Sequence, residues 1–137
     1  MSLVLDASAT LAWLLPEELT DAITAVFDSI ADDCAWVPPL WRIEVANSLT
    51  VNLRRGRITP LRRSESLVDL QLLTILCDPE TDNHLWGRTL ELADRHQLTV
   101  YDAIYLELAL RLKLPLATLD DDLRKAAQQE GVPLLGK

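Results

Sequence analysis

Three acids sit where apolar residues would be expected. Asp102 interrupts "LTVYDAIYLELAL" at residues 98–110, Asp6 ends "LVLD", and Asp120 follows "LATL" at the head of a run of three aspartates. Carboxylates brought together from distant parts of a chain make a site for a hard cation. Oxygen ligands without His or Cys suit Mg2+ or Mn2+. Each acid also has a local structural use. Asp6 is a natural turn starter after a strand, and Ser8 beside it is a common cap residue. The stretch Thr99-Val-Tyr-Asp102 has the form of a capping box, in a first helical turn that favours an acid. Thr118-Leu-Asp-Asp121 has the same form, which makes Asp121 the member of its run best explained as a helix start. Glu44 lies in "RIEVAN" inside a helical stretch, where a lone glutamate is ordinarily solvated. Arg42 is too close to it in sequence to be a good partner on a helix surface.

The surrounding elements decide whether these acids can meet. "SLVLD" reads as a short buried strand ending at Asp6, "CAWV" as a second stopped by two prolines, "TILCDP" as a third, "LPLATLD" as a fourth and "VPLL" as a last. Between them lie helical patterns. "ATLAWLLPEE" is stopped by Pro16. In "LTDAITAVFDSIADD", Thr20 caps a stripe of Ala22, Ile23, Val26, Phe27 and Ile30. "LWRIEVANSLTVNLRRG" repeats Leu40, Ile43, Ala46, Asn47 and Val51 and stops at Gly56. A helix opens at Thr59-Pro60, and "DNHLWGRTLELADRHQL" reads as one amphipathic helix. Thr99 caps the helix of Asp102, which runs to about Lys113, and "DDLRKAAQQEG" forms the last.

Strands that are continuous apolar runs, alternating with helices, predict a parallel sheet covered on both faces. Sites in such sheets form beyond the carboxyl ends of the strands. Asp6 and Asp120 both occupy that edge. Acids gathered there repel: at ~5 Å and an effective dielectric of ~20 each pair costs about 3 kcal/mol. A cation between them removes that cost, and no Lys or His is placed by the sequence close to each of them.

The totals agree. A length of 137 residues suits one domain spanning 1–137, and 49% hydrophobic residues suffice for a core. Apolar segments are too short and too broken by charge to span a bilayer. The start "MSLVLDAS" lacks the form of a signal peptide. Cys34 and Cys77 have no metal-type spacing and read as structural thiols of a reduced, cytoplasmic protein. His84 and His96 read as surface residues at helix ends. The net charge of −8 argues against a simple basic nucleic-acid binder, yet leaves room for an enzyme whose acids hold cations. Arg54, Arg55, Arg57, Arg62 and Arg63 form either a local basic surface for RNA or solvated helix ends.

Taken together, "VLDASATLAWLLPEE", "PPLWRIEVANSL", "LTVYDAIYLELA" and "LATLDDDLRKAAQQEGV" resemble the PIN-domain ribonucleases, specifically the VapC-type toxins of toxin–antitoxin pairs. The resemblance spans almost the whole chain and rests on the order of motifs that are individually weak. It implies an α/β/α three-layer fold with a central, mostly parallel sheet of four or five short strands. It implies Mg2+- or Mn2+-dependent hydrolysis of RNA, with Asp6, Glu44, Asp102 and Asp120 as the family's acids. Asp6, Asp102, Asp120 and Asp122 would be metal ligands, supported by the hydroxyls of Ser8 and Thr118. It further implies an antitoxin partner and a homodimer, the latter in keeping with Trp13, Trp36, Trp41 and Trp86 in so short a chain. A catalytically silent binding module would be expected to have lost one of the four acids, and none is lost. A phosphoacceptor signalling domain needs an early acidic pair and a late lysine. Here the first strand ends in one Asp, and no Lys occurs between residues 1 and 112.

Overall fold

Burial on both faces is what the continuous apolar runs require, and the first strand meets it fully. In the computed structural model, which describes residues 1–137, β1 (Leu3–Leu5) has no exposed residue. It lies at the centre of a five-stranded sheet of order β3-β2-β1-β4-β5. The other strands are β2 (Ala35–Val37), β3 (Ile75–Cys77), β4 (Leu116–Ala117) and β5 (Leu134–Leu135). Every pairing is parallel, so all five carboxyl ends share one edge.

Eight helices cover the sheet: α1 (Ala7–Leu14), α2 (Asp21–Asp32), α3 (Leu40–Arg54), α4 (Pro60–Gln71), α5 (Thr81–Leu85), α6 (Arg88–His96), α7 (Val100–Leu112) and α8 (Asp121–Gln129). None is long and apolar enough to cross a membrane. The cap residues expected at Thr20, Thr59 and Thr99 each accept a backbone N–H bond at the head of α2, α4 and α7. The expected stripe of α2 holds: Ile23, Val26, Phe27 and Ile30 are buried, and Phe27 stacks on Trp13 with ring centroids 4.3 Å apart.

Several expectations are corrected. The core face of α3 is Trp41, Val45 and Leu49, while Ile43, placed on that face from the sequence, is 67% exposed. Both stripes have helical spacing, and the indole decides: Trp41 Nε1 donates to the buried Thr10 Oγ1 at 2.9 Å. The stretch read as one helix over 82–98 is two, α5 and α6, parted at Trp86-Gly87, where glycine is a poor helix former. His96 is not a surface residue: its side chain is 6% exposed and its Nε2 meets Glu130 Oε2 at 2.6 Å.

One charged network lies beyond the carboxyl end of the edge strand β3, separate from the other acids. Asp78, just beyond β3, and Glu107 of α7 are both buried. Arg111 Nη2 donates to Asp78 Oδ2 at 2.6 Å, and Arg111 Nε to Glu107 Oε2 at 2.8 Å. Burial opposes the charge on Asp78, but bonds from Arg111, Thr81 and the Glu80 N–H outweigh it and hold the carboxyl below its usual range.

Candidate active site and metal centre

The chain leaves β1 and turns at once into α1, so Asp6 caps that helix. Its Oδ1 accepts from the Ala9 N–H at 3.0 Å and from Ser8 Oγ at 2.7 Å. Its Oδ2 accepts from Thr118 Oγ1, which comes from the turn after β4. The hydroxyls of Ser8 and Thr118 thus both reach the first acid. Ser8 Oγ also accepts the Leu119 N–H at 2.9 Å, and Thr118 Oγ1 accepts the Asp120 N–H at 3.1 Å. Two strand ends, 112 residues apart in sequence, are tied through one carboxylate.

Asp120 is the N-cap of α8, accepting the Leu123 N–H at 3.1 Å. That replaces the capping box expected from Thr118 to Asp121, because Thr118 is already committed to Asp6. Asp121 is exposed and pairs with Lys137 at 2.7 Å, outside the cluster as expected. Asp122 is exposed but close enough to act electrostatically on Asp102.

Asp102 occupies the first turn of α7, where its backbone N–H donates to Thr99 Oγ1 at 3.1 Å. This is only half of a capping box: the Asp102 carboxylate returns no bond to the Thr99 N–H and accepts none elsewhere. Glu44 enters from α3 and is half-buried rather than solvated. Its Oε1 accepts from the Tyr105 hydroxyl, one helical turn beyond Asp102. Sequence reasoning missed Tyr105. The signal was its place three residues after Asp102, on the same side of α7.

The electrostatics follow from this crowding. Burial pushes the Asp102 carboxyl up to about 6, helped by the charges of Asp120, Asp6, Glu44 and Asp122. Burial also raises Asp6, against its three hydrogen bonds and with the charge of Asp120. Burial raises Glu44, opposed by Tyr105 and reinforced by Asp6. Every charged group that raises Asp102 is a carboxylate. As placed, no three of the acids converge to the ligand distances of one point. The donor set fits a hard divalent ion: carboxylate oxygens, two supporting hydroxyls, no imidazole and no thiol.

Residues 3–129 match the family model described as the PIN domain. The chain is 32% identical over 123 residues to Ribonuclease VapC3 of Pyrobaculum aerophilum, covering 90% of this chain and 92% of that protein. Among solved structures, PAE2754 from the same organism superimposes with a TM-score of 0.70 at 25% identity, covering 98% of this chain and 89% of the other. FitAcB from Neisseria gonorrhoeae shares the fold, with a TM-score of 0.58 at 20% identity over 98% of this chain and 96% of its own.

Proposed function

The chain belongs to the PIN-domain family, and on that premise we propose that it is a Mg2+- or Mn2+-dependent endoribonuclease of the VapC toxin type. The observation that carries the reading is Asp102, a carboxylate raised to about 6 with four other acids acting on it and no cationic side chain among them. The relationship to a ribonuclease over 90% of the chain supplies the substrate class.

Asp6, Asp102, Asp120 and Asp122 would be the ligands of such an ion. When bound, the ion polarises the phosphate, lowers the pKa of a water and stabilises the leaving oxygen. The remaining work falls to the chain. Ser8 and Thr118 fix both oxygens of Asp6, so that the ligand nearest the sheet is set before anything binds. Tyr105 takes Glu44 Oε1, leaving Oε2 to orient the attacking water and receive its proton. Water adds to phosphorus, the P–O bond to the leaving ribose oxygen breaks, and no covalent enzyme intermediate is required.

The partners proposed with this reading are an antitoxin protein and a second copy of the chain. An acidic groove is a receptor for an Arg or Lys side chain of an antitoxin tail, which would compete with the cation. The enzyme assignment is tested by incubating purified protein with RNA in Mg2+, Mn2+ or EDTA. Cleavage is expected with either metal, none in EDTA, and none by Asp102→Asn; the same ions should raise the Tm of the wild type more than that of the variant. Full activity of Asp102→Asn, or cleavage unaffected by EDTA, would overturn it.

A further inference from the structure

The substrate proposed above is a polyanion, and the site proposed for its cleavage is a concentration of negative charge on a chain of net charge −8. Without its cation that site repels RNA, so affinity in the metal-free protein must come from elsewhere on the surface. The molecule holds one conspicuous excess of positive charge. From Val45 to Ser64 there is no acidic residue, and five arginines fall between Arg54 and Arg63.

Structure separates these arginines from most of the rest. Arg88, Arg95 and Arg111 are engaged with carboxylates and Arg124 with backbone carbonyls; Arg42, exposed near the start of α3, is the one other arginine without a partner. Arg62 is turned toward α1, donating to the Leu14 carbonyl at 3.1 Å with Glu65 at 4.0 Å. Arg54, Arg55, Arg57 and Arg63 have no carboxylate partner, and the first three are exposed. They crowd the turn between α3 and α4, which is closed by Gly56 at a φ of 72°. Beside it lies a surface hollow lined by Pro16, Glu17, Gly56, Arg57, Thr59 and Arg62. Glu17 is the one acid there, and it too is exposed and unpaired.

The corner is also aligned with the acidic edge. α3 carries Glu44 near its start and ends in Arg54, with Arg55 as its C-cap. Arg55 lies eleven residues beyond Glu44, close to three full turns, so the two positions fall on nearly the same helix face about 16 Å apart. Between them that face presents Asn47, Ser48 and Val51, none of them charged. Stacked nucleotides advance roughly 3.4 Å each, so the gap spans about five of them.

We infer that the arginine corner at the α3–α4 turn is the docking surface for the RNA phosphate backbone, holding the strand about five nucleotides from the bond that is cut. This rests on the ribonuclease reading for the identity of the polyanion. An acidic protein partner is the competing occupant. RNA is favoured because the corner lies in register with Glu44 along one helix and because without its cation the acidic centre repels a polyanion.

The test is binding without cleavage. Fluorescence anisotropy with end-labelled RNAs of about 3 and about 15 nucleotides in EDTA, across a KCl series, compares the wild type with Arg54→Gln/Arg55→Gln/Arg57→Gln/Arg63→Gln. The wild type should bind the longer RNA at least about tenfold tighter than the shorter, and the variant should lose that gain. Its slope of log affinity against log salt should fall by about two to three, at ~0.7 for each phosphate of a single strand that is no longer neutralised. An unchanged slope and affinity at an unchanged Tm would overturn the inference. So would a wild type that binds both lengths alike, or a polyglutamate peptide that binds the corner while the variant keeps its RNA affinity. A protein that binds RNA through the corner but never cuts it would refute the ribonuclease reading alone.

Discussion

Asp102 lacks what its neighbours have. Asp6 is met by three donors, Asp120 by the Leu123 N–H and Glu44 by Tyr105, whereas no donor meets the Asp102 carboxylate. Its folded pKa of about 6 lies above the ordinary value of 3.8. Between those two values the folded state binds more proton than the unfolded chain, so this group lowers stability as pH rises from about 4 to about 6 and adds a constant penalty above that. Asp102→Asn removes the penalty and keeps the Thr99 cap, which uses only the backbone N–H. In EDTA the variant should match the wild type near pH 4 and be more stable by about 1 kcal/mol above pH 7, after discounting for partial exposure. Urea melts at several pH values measure the difference. A variant less stable by about 0.5–2 kcal/mol at every pH would make Asp102 a helix cap and nothing more. The acids themselves were legible in the sequence because each breaks an apolar run. Tyr105 was not, because a tyrosine in such a run looks like core and its hydroxyl partner comes from another helix.

Helix α7 serves two charged networks. Its first turn presents Asp102, and its last turn presents Arg111 to the buried Asp78 and Glu107. Arg111→Met leaves two buried carboxylates without their cation. It should destabilise the fold by about 3–5 kcal/mol, measurable by urea titration. Restoring neutrality with Asp78→Asn and Glu107→Gln in the same chain should recover much of the loss; no recovery would mean the arginine stem, not its charge, does the holding. At this scale the sequence showed the caps and most helix spans, since those depend on neighbours three or four residues away. It misplaced the core face of α3, because Ile43 and Val45 are equally apolar and only the distant Thr10 selects the side that carries Trp41. It also ran α5 into α6, since the amphipathic period continues across a glycine that breaks the backbone.

At the scale of the whole molecule, the alternation of strands and helices pointed to the parallel sheet, and the structure has five strands, all parallel. The order of those strands was beyond reach of the pattern, because nothing local tells β1 that its neighbours are β2 and β4. The tryptophans offered as dimer surface are mostly turned inward: Trp41 is buried and Trp13 and Trp36 are half-covered, leaving Trp86 at 88% exposure. Ile43, Leu61 and Leu72 are exposed as well. The proposed homodimer and antitoxin are tested together, by light scattering of the chain alone and after co-expression with the neighbouring reading frame. A mass of two copies, rising when the partner co-purifies, is expected; a monomer at tens of micromolar that captures nothing would remove both partners.

The central strand has a further consequence, in the order of manufacture. β1 leaves the ribosome well before its partner β4 and the Thr118 that grips Asp6, which are made more than a hundred residues later. At 5–20 residues per second β1 waits roughly 6–22 s with one side bare, and about 1–4 s separate the making of Asp102 from that of Asp120. The acidic cluster therefore stays incomplete until Asp120 has been made, long after β1 and Asp6.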